Sequence, residues 1–219
     1  MPTTLGAVVF DFDGLLADTE EIHSRTWRAA LAERGIDVTV GEYADHWIRR
    51  GRGVADLIAA RNLPYTVDEL LVRKKALYFA EIEDHLRPMP GALELLDALA
   101  GRTRLALVTS GRRVMVDAAL ARVGMAGRFE ATVTFEMVAQ PKPHPEPFHL
   151  VARMLDLPPG RCVALDDAEK GIVAAADAGM PAVAVPNEHT LDHDFSRAAL
   201  VVPSLEHLTH DVLARLARA

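Results

Sequence analysis

Cysteine and long apolar runs are both scarce in this chain. Its one cysteine, Cys162, excludes an intramolecular disulfide. Cys162 opens the apolar run 162–165, where we expect a small buried side chain in a protein kept in a reducing compartment. No apolar run is long enough to span a bilayer, and nothing before Asp11 has the pattern of a signal peptide. We therefore expect a soluble, cytoplasmic protein without a membrane partner.

An excess of positive charge is absent as well. The formal net charge is −7, which argues against a protein that binds nucleic acid or an anionic membrane surface. An anionic substrate must then be attracted by local cations rather than by the field of the whole molecule. Half of the 219 residues are apolar and a quarter are charged. That composition is ordinary for a globular protein, and the length suits one core with a smaller appended unit.

Helical periodicity dominates the chain between residues 19 and 84. The first helix is predicted to begin after Thr19, whose side chain suits the N-cap position. Apolar residues at helical spacing predict further helices over 42–49, 54–61 and 67–82. The proline-rich stretch 87–91 ends this pattern.

Short apolar runs alternate with helical stretches in the rest of the chain. The runs predict strands at 7–10, 105–108, 131–133, 163–165 and 182–185, with an edge strand at 201–202. The helical stretches lie around 91–100, 113–123, 146–156, 169–178 and 205–218. Strands that alternate with helices imply a parallel sheet with right-handed crossovers. The prediction is an α/β fold with a doubly wound, Rossmann-like core of residues 1–17 and 87–219, and a helical cap, residues 18–86, inserted after the first strand.

Polar side chains follow the predicted strands at the points where they end. Asp11 and Asp13 follow the first strand, with Gly14 directly after them. The others are Thr109 and Ser110 after the second strand, Lys142 after the third, and Asp166 and Asp167 after the fourth. The carboxyl ends of parallel strands meet at one edge, where ligands bind in open α/β sheets. We therefore expect these side chains to lie together.

This combination of side chains predicts a magnesium site. Four carboxylates in one cleft repel one another, and a hard divalent cation with oxygen ligands relieves that repulsion. Thr109 and Ser110 would provide an anion site, and Lys142 would hold a phosphoryl oxygen. Each feature also has a plainer interpretation. The aspartates could be turn residues, the hydroxyls could cap a helix, and the lysine could lie in a surface turn between Pro141 and Pro143.

These motifs together resemble the haloacid dehalogenase (HAD) superfamily, in the branch of β-phosphoglucomutase-like and sugar-phosphate phosphatases. The most specific motif is the signature DFDGLLADTE at 11–20. The others follow in order: Thr109, Lys142-Pro143-His144-Pro145, and Asp166-Asp167 with Gly171 and Ala178-Gly179-Met180. The helical insertion looks like the family's cap. The chain departs from the branch at Asp166-Asp167-Ala168, where Glu-Asp-Ser is common.

The resemblance implies a mechanism. Asp11 would be the nucleophile that forms an aspartyl-phosphate, and Asp13 would be the general acid and then the base. Thr109 and Lys142 would hold the oxygens of the transferring phosphoryl group. The ligands implied for Mg²⁺ are Asp11, the backbone carbonyl of Asp13, Asp167, and Asp166 either directly or through a water molecule.

Substrate choice is assigned mainly to the predicted cap. The candidate substrate contacts are Thr19, His23, Arg50, Arg52 and Ser110. The resemblance implies that a histidine at position 23 can point into the active site, and arginine side chains suit anionic or hydroxyl-rich substrates. His23 could equally be a boundary residue of an amphipathic helix, and the arginines beside Gly51 and Gly53 could form a solvated turn. The histidine- and acid-rich segment 187–194 favours a plain polar loop over a second metal site.

The function predicted is that of a Mg²⁺-dependent phosphatase that hydrolyses a small phosphorylated metabolite, above all a sugar phosphate, through an aspartyl-phosphate. One alternative is a β-phosphoglucomutase-like phosphomutase, which would need a bisphosphate to prime it. Another is a phospho-aspartate signalling receiver, a class that has no helical cap. The only partner expected is the small metabolite, without nucleic acid or membrane. A monomer is expected because the cap supplies the lid within one chain.

Overall fold

The computed structural model describes residues 5–217. Two short stretches of the predicted core lie outside the described residues, namely 1–4 and 218–219. The second includes the last residue of the helical stretch predicted at 205–218. The chain divides into two compact units. We call Met1–Asp18 with Arg87–Ala219 the core unit, and Thr19–Leu86 the helical unit. The role of the helical unit as a cap that selects the substrate stays a prediction.

A parallel sheet lies at the centre of the core unit. Within residues 5–217 its strands are β1 (Ala7–Phe10), β2 (Arg104–Val108), β3 (Ala131–Val133), β4 (Cys162–Asp166), β5 (Ala182–Ala184) and β6 (Leu200–Val201). They lie in the order β3-β2-β1-β4-β5-β6, and all neighbouring pairs are parallel. The loop after β1 therefore leaves from the middle of the sheet. This order confirms the predicted doubly wound α/β fold.

The helical unit has a hydrophobic core of its own. Its elements are α1 (Glu20–Ala32), α2 (Val40–Tyr43), a π-helix (Ala44–Arg49), α3 (Val54–Arg61) and α4 (Val67–His85). α1 and α4 pack side by side. The buried residues of this core are Leu31, Ile36, Val38, Tyr43, Val54, Leu57 and Leu70.

Some ends of these helices differ from the prediction. The segment predicted as one helix at 42–49 begins at Val40 and changes to π hydrogen bonding in its second half. Thr39 starts it with a capping box, because its side chain accepts from the Glu42 amide while the Glu42 carboxylate accepts from the Thr39 amide. Thr19 occupies the N-cap position of α1, as predicted, but its side chain makes no capping hydrogen bond. The predicted N-cap position is therefore confirmed, without the side-chain hydrogen bond that such a residue commonly makes.

Helices cover the sheet in the core unit. They are α5 (Ala92–Leu99), α6 (Arg113–Arg122), α7 (Glu146–Met154), α8 (Glu169–Asp177) and α9 (His210–Leu216). Every residue of β1 and β4 is buried, as expected for a parallel sheet between helices. The closing stretch is not one helix but a 3₁₀ turn, Leu205–His207, followed by α9, because the Thr209 side chain caps the Val212 amide and restarts the helix. None of the described helices combines the length and the hydropathy needed to cross a membrane.

Candidate active site

The carboxyl edge of the sheet carries the predicted polar residues. β1 ends at Phe10, so Asp11 and Asp13 lie in the loop that leaves the middle of the sheet. Thr109 directly follows β2. Asp166 is the last residue of β4 rather than the first residue after it. The order of the strands therefore brings residues from three neighbouring strand ends to one place.

The ammonium group of Lys142 joins two of these aspartates. Its Nζ donates to Asp11 Oδ1 at 2.7 Å, to Asp166 Oδ2 at 2.7 Å and to the carbonyl of Val108 at 2.9 Å. An ammonium has three hydrogens, so these acceptors use all of them and fix its position. The side chain is 3% exposed, which excludes the plainer interpretation of Lys142 as a residue of a surface turn.

Burial and charge act together on the ionisation of this cluster. Burial raises the pKa of Asp11 to about 7, although the Lys142 ammonium opposes the rise. The negative charges of Asp166 and Asp13 also contribute to this raised value. Burial alone would lower the pKa of Lys142, but the carboxylates of Asp11 and Asp166 outweigh burial and raise that pKa above its usual value. The lysine therefore stays charged, whereas Asp11 needs additional positive charge to ionise readily.

Asp166 is held from two sides. Its Oδ2 accepts from Lys142, and its Oδ1 accepts from the backbone amide of Ala168 at 3.0 Å. Gly171 of α8 lies directly against this carboxylate, since a Cβ on Gly171 would come within 1.8 Å of Asp166 Oδ2. A glycine is therefore required at position 171 for Asp166 to reach the lysine.

Three buried carboxylates lie close enough together to bind a metal ion. One oxygen from each of Asp11, Asp166 and Asp167 lies within 4.8 Å of the others. Hard oxygen donors at this spacing suit Mg²⁺, so the residues fit the predicted cation. The Asp13 carboxylate is not part of this group, and the ligand predicted from Asp13 is its backbone carbonyl. In the part of the chain that the structure describes, the segment 187–194 forms no second group of this kind.

The hydroxyl residues after β2 do not start a helix. Thr109 Oγ1 donates to Asp13 Oδ2 at 3.4 Å and accepts from the Gly111 amide at 2.9 Å. α6 begins later, with Arg112 at its N-cap position. The interpretation of Thr109 and Ser110 as a helix cap was therefore wrong. Thr109 is buried beside Asp13, whereas Ser110 is exposed.

Asn187 belongs to this site and was not identified from the sequence. It lies beyond the end of β5, in the segment 187–194. Its Nδ2 donates to Asp167 Oδ2 at 2.8 Å and to the carbonyl of Gly14 at 3.0 Å. The carboxyl ends of parallel strands meet at one edge of the sheet, so a polar residue after β5 is expected there as well. This position after a strand was the signal that could have indicated Asn187.

His23 lies against a buried lysine that the sequence did not single out. Lys74 Nζ is 2.8 Å from His23 Nδ1 and lies over the ring of Tyr78, 4.5 Å from its centroid. His23 stacks on the same ring, with 5.1 Å between the centroids. Lys74 is 3% exposed. The half-buried His23 is therefore part of a packed polar cluster between α1 and α4.

The other predicted contacts in the helical unit have local partners. Thr19 is fully buried at the start of α1. Arg50 is exposed, and its Nε pairs with Asp45 Oδ2 at 2.9 Å. Arg52 is also exposed, and its backbone amide donates to the carbonyl of His46. The substrate-binding roles of all three residues stay predictions.

Fold and site together define a class of enzyme. A buried lysine and several carboxylates, set at the carboxyl edge of a parallel sheet, can position and neutralise a transferring phosphoryl group. A family model for haloacid dehalogenase-like hydrolases matches residues 5–179, and the chain belongs to this family. The resemblance drawn from the motifs is thereby confirmed.

Bacterial proteins that carry names are similar to this chain over most of its length. Protein CbbY of Rhodobacter capsulatus is 33% identical over 213 residues, covering 92% of this chain and 94% of CbbY. The fructose-1-phosphate phosphatase YqaB of Escherichia coli (strain K12) is 30% identical over 183 residues, covering 81% and 95%. A crystal structure of a CbbY variant from Rhodobacter sphaeroides with xylulose-(1,5)bisphosphate has a TM-score of 0.85 at 28% identity, covering 93% and 96%. Family and relatives confirm the predicted enzyme class, a phosphoric monoester hydrolase.

Proposed function

We propose that this protein is a Mg²⁺-dependent phosphatase that hydrolyses a small sugar phosphate through an aspartyl-phosphate on Asp11. The observation that carries the proposal is the buried contact of Lys142 with Asp11 and Asp166, within a group of carboxylates suited to a divalent cation. Phosphoryl transfer needs mainly positioning and charge neutralisation, and this cluster offers both. YqaB, a fructose-1-phosphate phosphatase, and the CbbY complex with a sugar bisphosphate support a sugar phosphate as substrate.

Asp11 is the proposed nucleophile. An oxygen of its carboxylate attacks phosphorus, and the bond between phosphorus and the ester oxygen breaks. Lys142 holds Asp11 Oδ1 and so orients the carboxylate, while its charge attracts the phosphoryl oxygens. Asp13 gives a proton to the leaving oxygen. Asp13 is less buried than Asp11, and its contact with the Thr109 hydroxyl helps to orient it.

The second half of the reaction restores Asp11. The deprotonated Asp13 accepts a proton from water as the water oxygen attacks phosphorus. The bond between phosphorus and Asp11 breaks, and inorganic phosphate leaves. Bound Mg²⁺ supplies positive charge that neutralises the phosphoryl oxygens. The residues that would hold it are Asp11, the backbone carbonyl of Asp13, Asp167, and Asp166 directly or through a water molecule.

Substrate selection is assigned to the helical unit, acting as the cap. The proposed substrate contacts are Thr19, His23, Arg50 and Arg52 in that unit and Ser110 in the core unit. Among them, His23 has a fixed position, because Lys74 and the Tyr78 ring pack against it. His23→Ala is expected to raise KM for the best ester more than it lowers kcat, since a contact made equally in the ground and transition states affects binding alone.

Phosphate release tests the proposed function. The purified protein is given sugar phosphates, including fructose 1-phosphate and xylulose bisphosphate, together with nucleotides and phosphoglycolate, in Mg²⁺ or in EDTA. We expect release that requires Mg²⁺, prefers one sugar phosphate and is lost in Asp11→Asn. Release that EDTA leaves unchanged would contradict the proposed dependence on Mg²⁺. Release that persists in Asp11→Asn would contradict the proposed role of Asp11 as the nucleophile.

Two results would favour the alternative functions. If no ester released phosphate, isomerisation of a hexose 1-phosphate primed with bisphosphate would indicate the phosphomutase. If a small phosphodonor labelled Asp11 without turnover, a signalling receiver would be indicated. A cytoplasmic location and a monomeric state stay predictions, and light scattering of the purified protein tests the second.

A further inference from the structure

The side-chain amide of Asn187 connects loops that surround the proposed metal ligands. Its Nδ2 donates to Asp167 Oδ2 at 2.8 Å and to the carbonyl of Gly14 at 3.0 Å. Asp167 directly follows β4, Gly14 lies in the loop after β1, and Asn187 lies beyond β5. One side chain thus connects segments that leave three different strands.

The surrounding hydrogen bonds set the direction of this amide. Asn187 Oδ1 accepts from the backbone amide of His189 at 2.9 Å and from the Thr190 hydroxyl at 3.4 Å. The backbone amide of Asn187 donates to Thr190 Oγ1 at 3.0 Å, and the Thr190 amide donates to the Asn187 carbonyl at 3.0 Å. A flipped amide would set Nδ2 against an N–H donor and Oδ1 against a carboxylate. The network therefore fits one orientation.

Close packing leaves the contact little freedom. Gly14 has a φ of 78°, in the left-handed region that favours glycine. A Cβ on Gly14 would lie 2.7 Å from both Asn187 Nδ2 and Asp167 Oδ2. Asp167 is 5% exposed and Thr190 is 2% exposed. The bond from Asn187 restricts rotation of the Asp167 carboxylate about its Cβ–Cγ bond, and so sets where its other oxygen points.

We infer that Asn187 is a positioning residue that sets the affinity of this site for a divalent cation. The inference rests on the proposed function, in which Asp167 is a ligand of Mg²⁺. A neutral amide orients the carboxylate without cancelling its charge. The bond to Gly14 also ties the loop that carries Asp11 and Asp13 to Asp167. Removing a group that holds a metal ligand in this way lowers metal affinity or activity by about 10- to 100-fold.

Binding of Mn²⁺ alone to the full chain, followed by the EPR signal of free Mn²⁺, tests the inference without substrate. Asn187→Leu keeps the branched shape of the side chain and replaces the donor by a methyl group. His189→Ala is the matched control, because it changes a side chain of the same loop but keeps the backbone amide that Asn187 uses. We expect the Mn²⁺ dissociation constant to rise about tenfold or more in Asn187→Leu and to stay native in His189→Ala. An unchanged constant in Asn187→Leu would overturn the inference.

A second variant and a stability measurement separate positioning from folding. Thr190→Val keeps the buried volume but removes the hydroxyl that holds Asn187, so it should weaken Mn²⁺ binding less than Asn187→Leu does. A purely structural role would lower the melting temperature in EDTA without changing the Mn²⁺ dissociation constant. That result would also overturn the inference.

Excess Mg²⁺ should restore phosphate release by Asn187→Leu. If the native protein bound no Mn²⁺, the metal-dependent function would fail together with the inference, whereas equal binding by native protein and variant refutes the inference alone.

Discussion

At the scale of single residues, a glycine is as necessary to the cluster as its charged groups. Alanine inside a helix is ordinarily more stable than glycine by about 0.5–1 kcal/mol. At Gly171 in α8, however, a Cβ would lie within 1.8 Å of Asp166 Oδ2. Gly171→Ala is therefore expected to displace Asp166 and with it Lys142, and to lower both the free energy of unfolding and the rate of phosphate release.

Urea unfolding and initial rates measure this effect. Gly41→Ala in α2 is the matched control, because a Cβ there meets nothing within 4 Å, and it should be neutral or slightly stabilising. A Gly171→Ala protein as stable and active as the control would show that Asp166 does not need its observed position.

Asp11 also predicts how the stability of the metal-free protein depends on pH. Burial raises its pKa from 3.8 to about 7. Between those values the folded state binds more protons than the unfolded state, so stability falls as pH rises. Asp11→Asn does not titrate, and should be more stable than the native protein above about pH 7 in EDTA, with a flatter profile below it. Thermal unfolding across this range measures both profiles, and equal slopes would contradict a raised pKa.

How far the site residues could be predicted depended on where their partners lie. The aspartates and Lys142 follow strands, and parallel strands end at one edge, so their meeting could be foreseen. Asn187 acts on Gly14, 173 positions away, and a polar loop carries no pattern that specifies such a partner. Lys74 was missed because a lysine on a helix normally faces solvent. In the structure Lys74 is 3% exposed, and its ammonium lies over the ring of Tyr78.

At the scale of secondary-structure elements, capping boxes determine where helices of the helical unit begin. Thr66 Oγ1 accepts from the Glu69 amide at 3.3 Å, and Glu69 Oε2 accepts from the Thr66 amide at 2.7 Å. Thr66→Ala should destabilise α4 by about 1 kcal/mol, whereas Thr66→Ser keeps the hydroxyl and should cost less. Both tryptophans, Trp27 and Trp47, lie in the helical unit, so urea unfolding followed by their fluorescence measures the effect there. An unchanged midpoint in Thr66→Ala would show that packing alone determines the start of α4.

The types of the elements could be predicted better than their ends. β1 and α3 have the bounds predicted at 7–10 and 54–61, because apolar runs and periodicity are clear there. The π-helix was not foreseen, since a short π segment leaves no distinct signal in apolar spacing. α6 begins at Arg113, where the stretch 113–123 was predicted to begin, but Arg112 occupies its N-cap position because Thr109 bonds Gly111 and Asp13 instead. Helix ends depend on single hydrogen bonds of this kind.

At the scale of the whole molecule, the helical unit is inserted between two points of the core unit that lie side by side. The Asp18 amide donates to the carbonyl of Arg87 at 3.0 Å, and the Met89 amide donates to the carbonyl of Leu16 at 3.0 Å. β1 comes before the insertion, and its partners β2 and β4 come after it. An insertion whose ends meet can be replaced by a short linker without stretching the chain.

Replacing Thr19–Leu86 by a short glycine–serine linker therefore tests the division of labour between the units. The proposed metal ligands and Lys142 all lie in the core unit. We accordingly expect the shortened protein to bind Mn²⁺ and to show the far-UV circular dichroism of a folded α/β core. It should also hydrolyse a small activated ester such as p-nitrophenyl phosphate. It should lose its preference among sugar phosphates, because the proposed contacts from His23, Arg50 and Arg52 are gone. The ratio of kcat/KM for the best and the poorest ester measures that preference. A shortened protein with the native ratio would place substrate selection in the core unit instead.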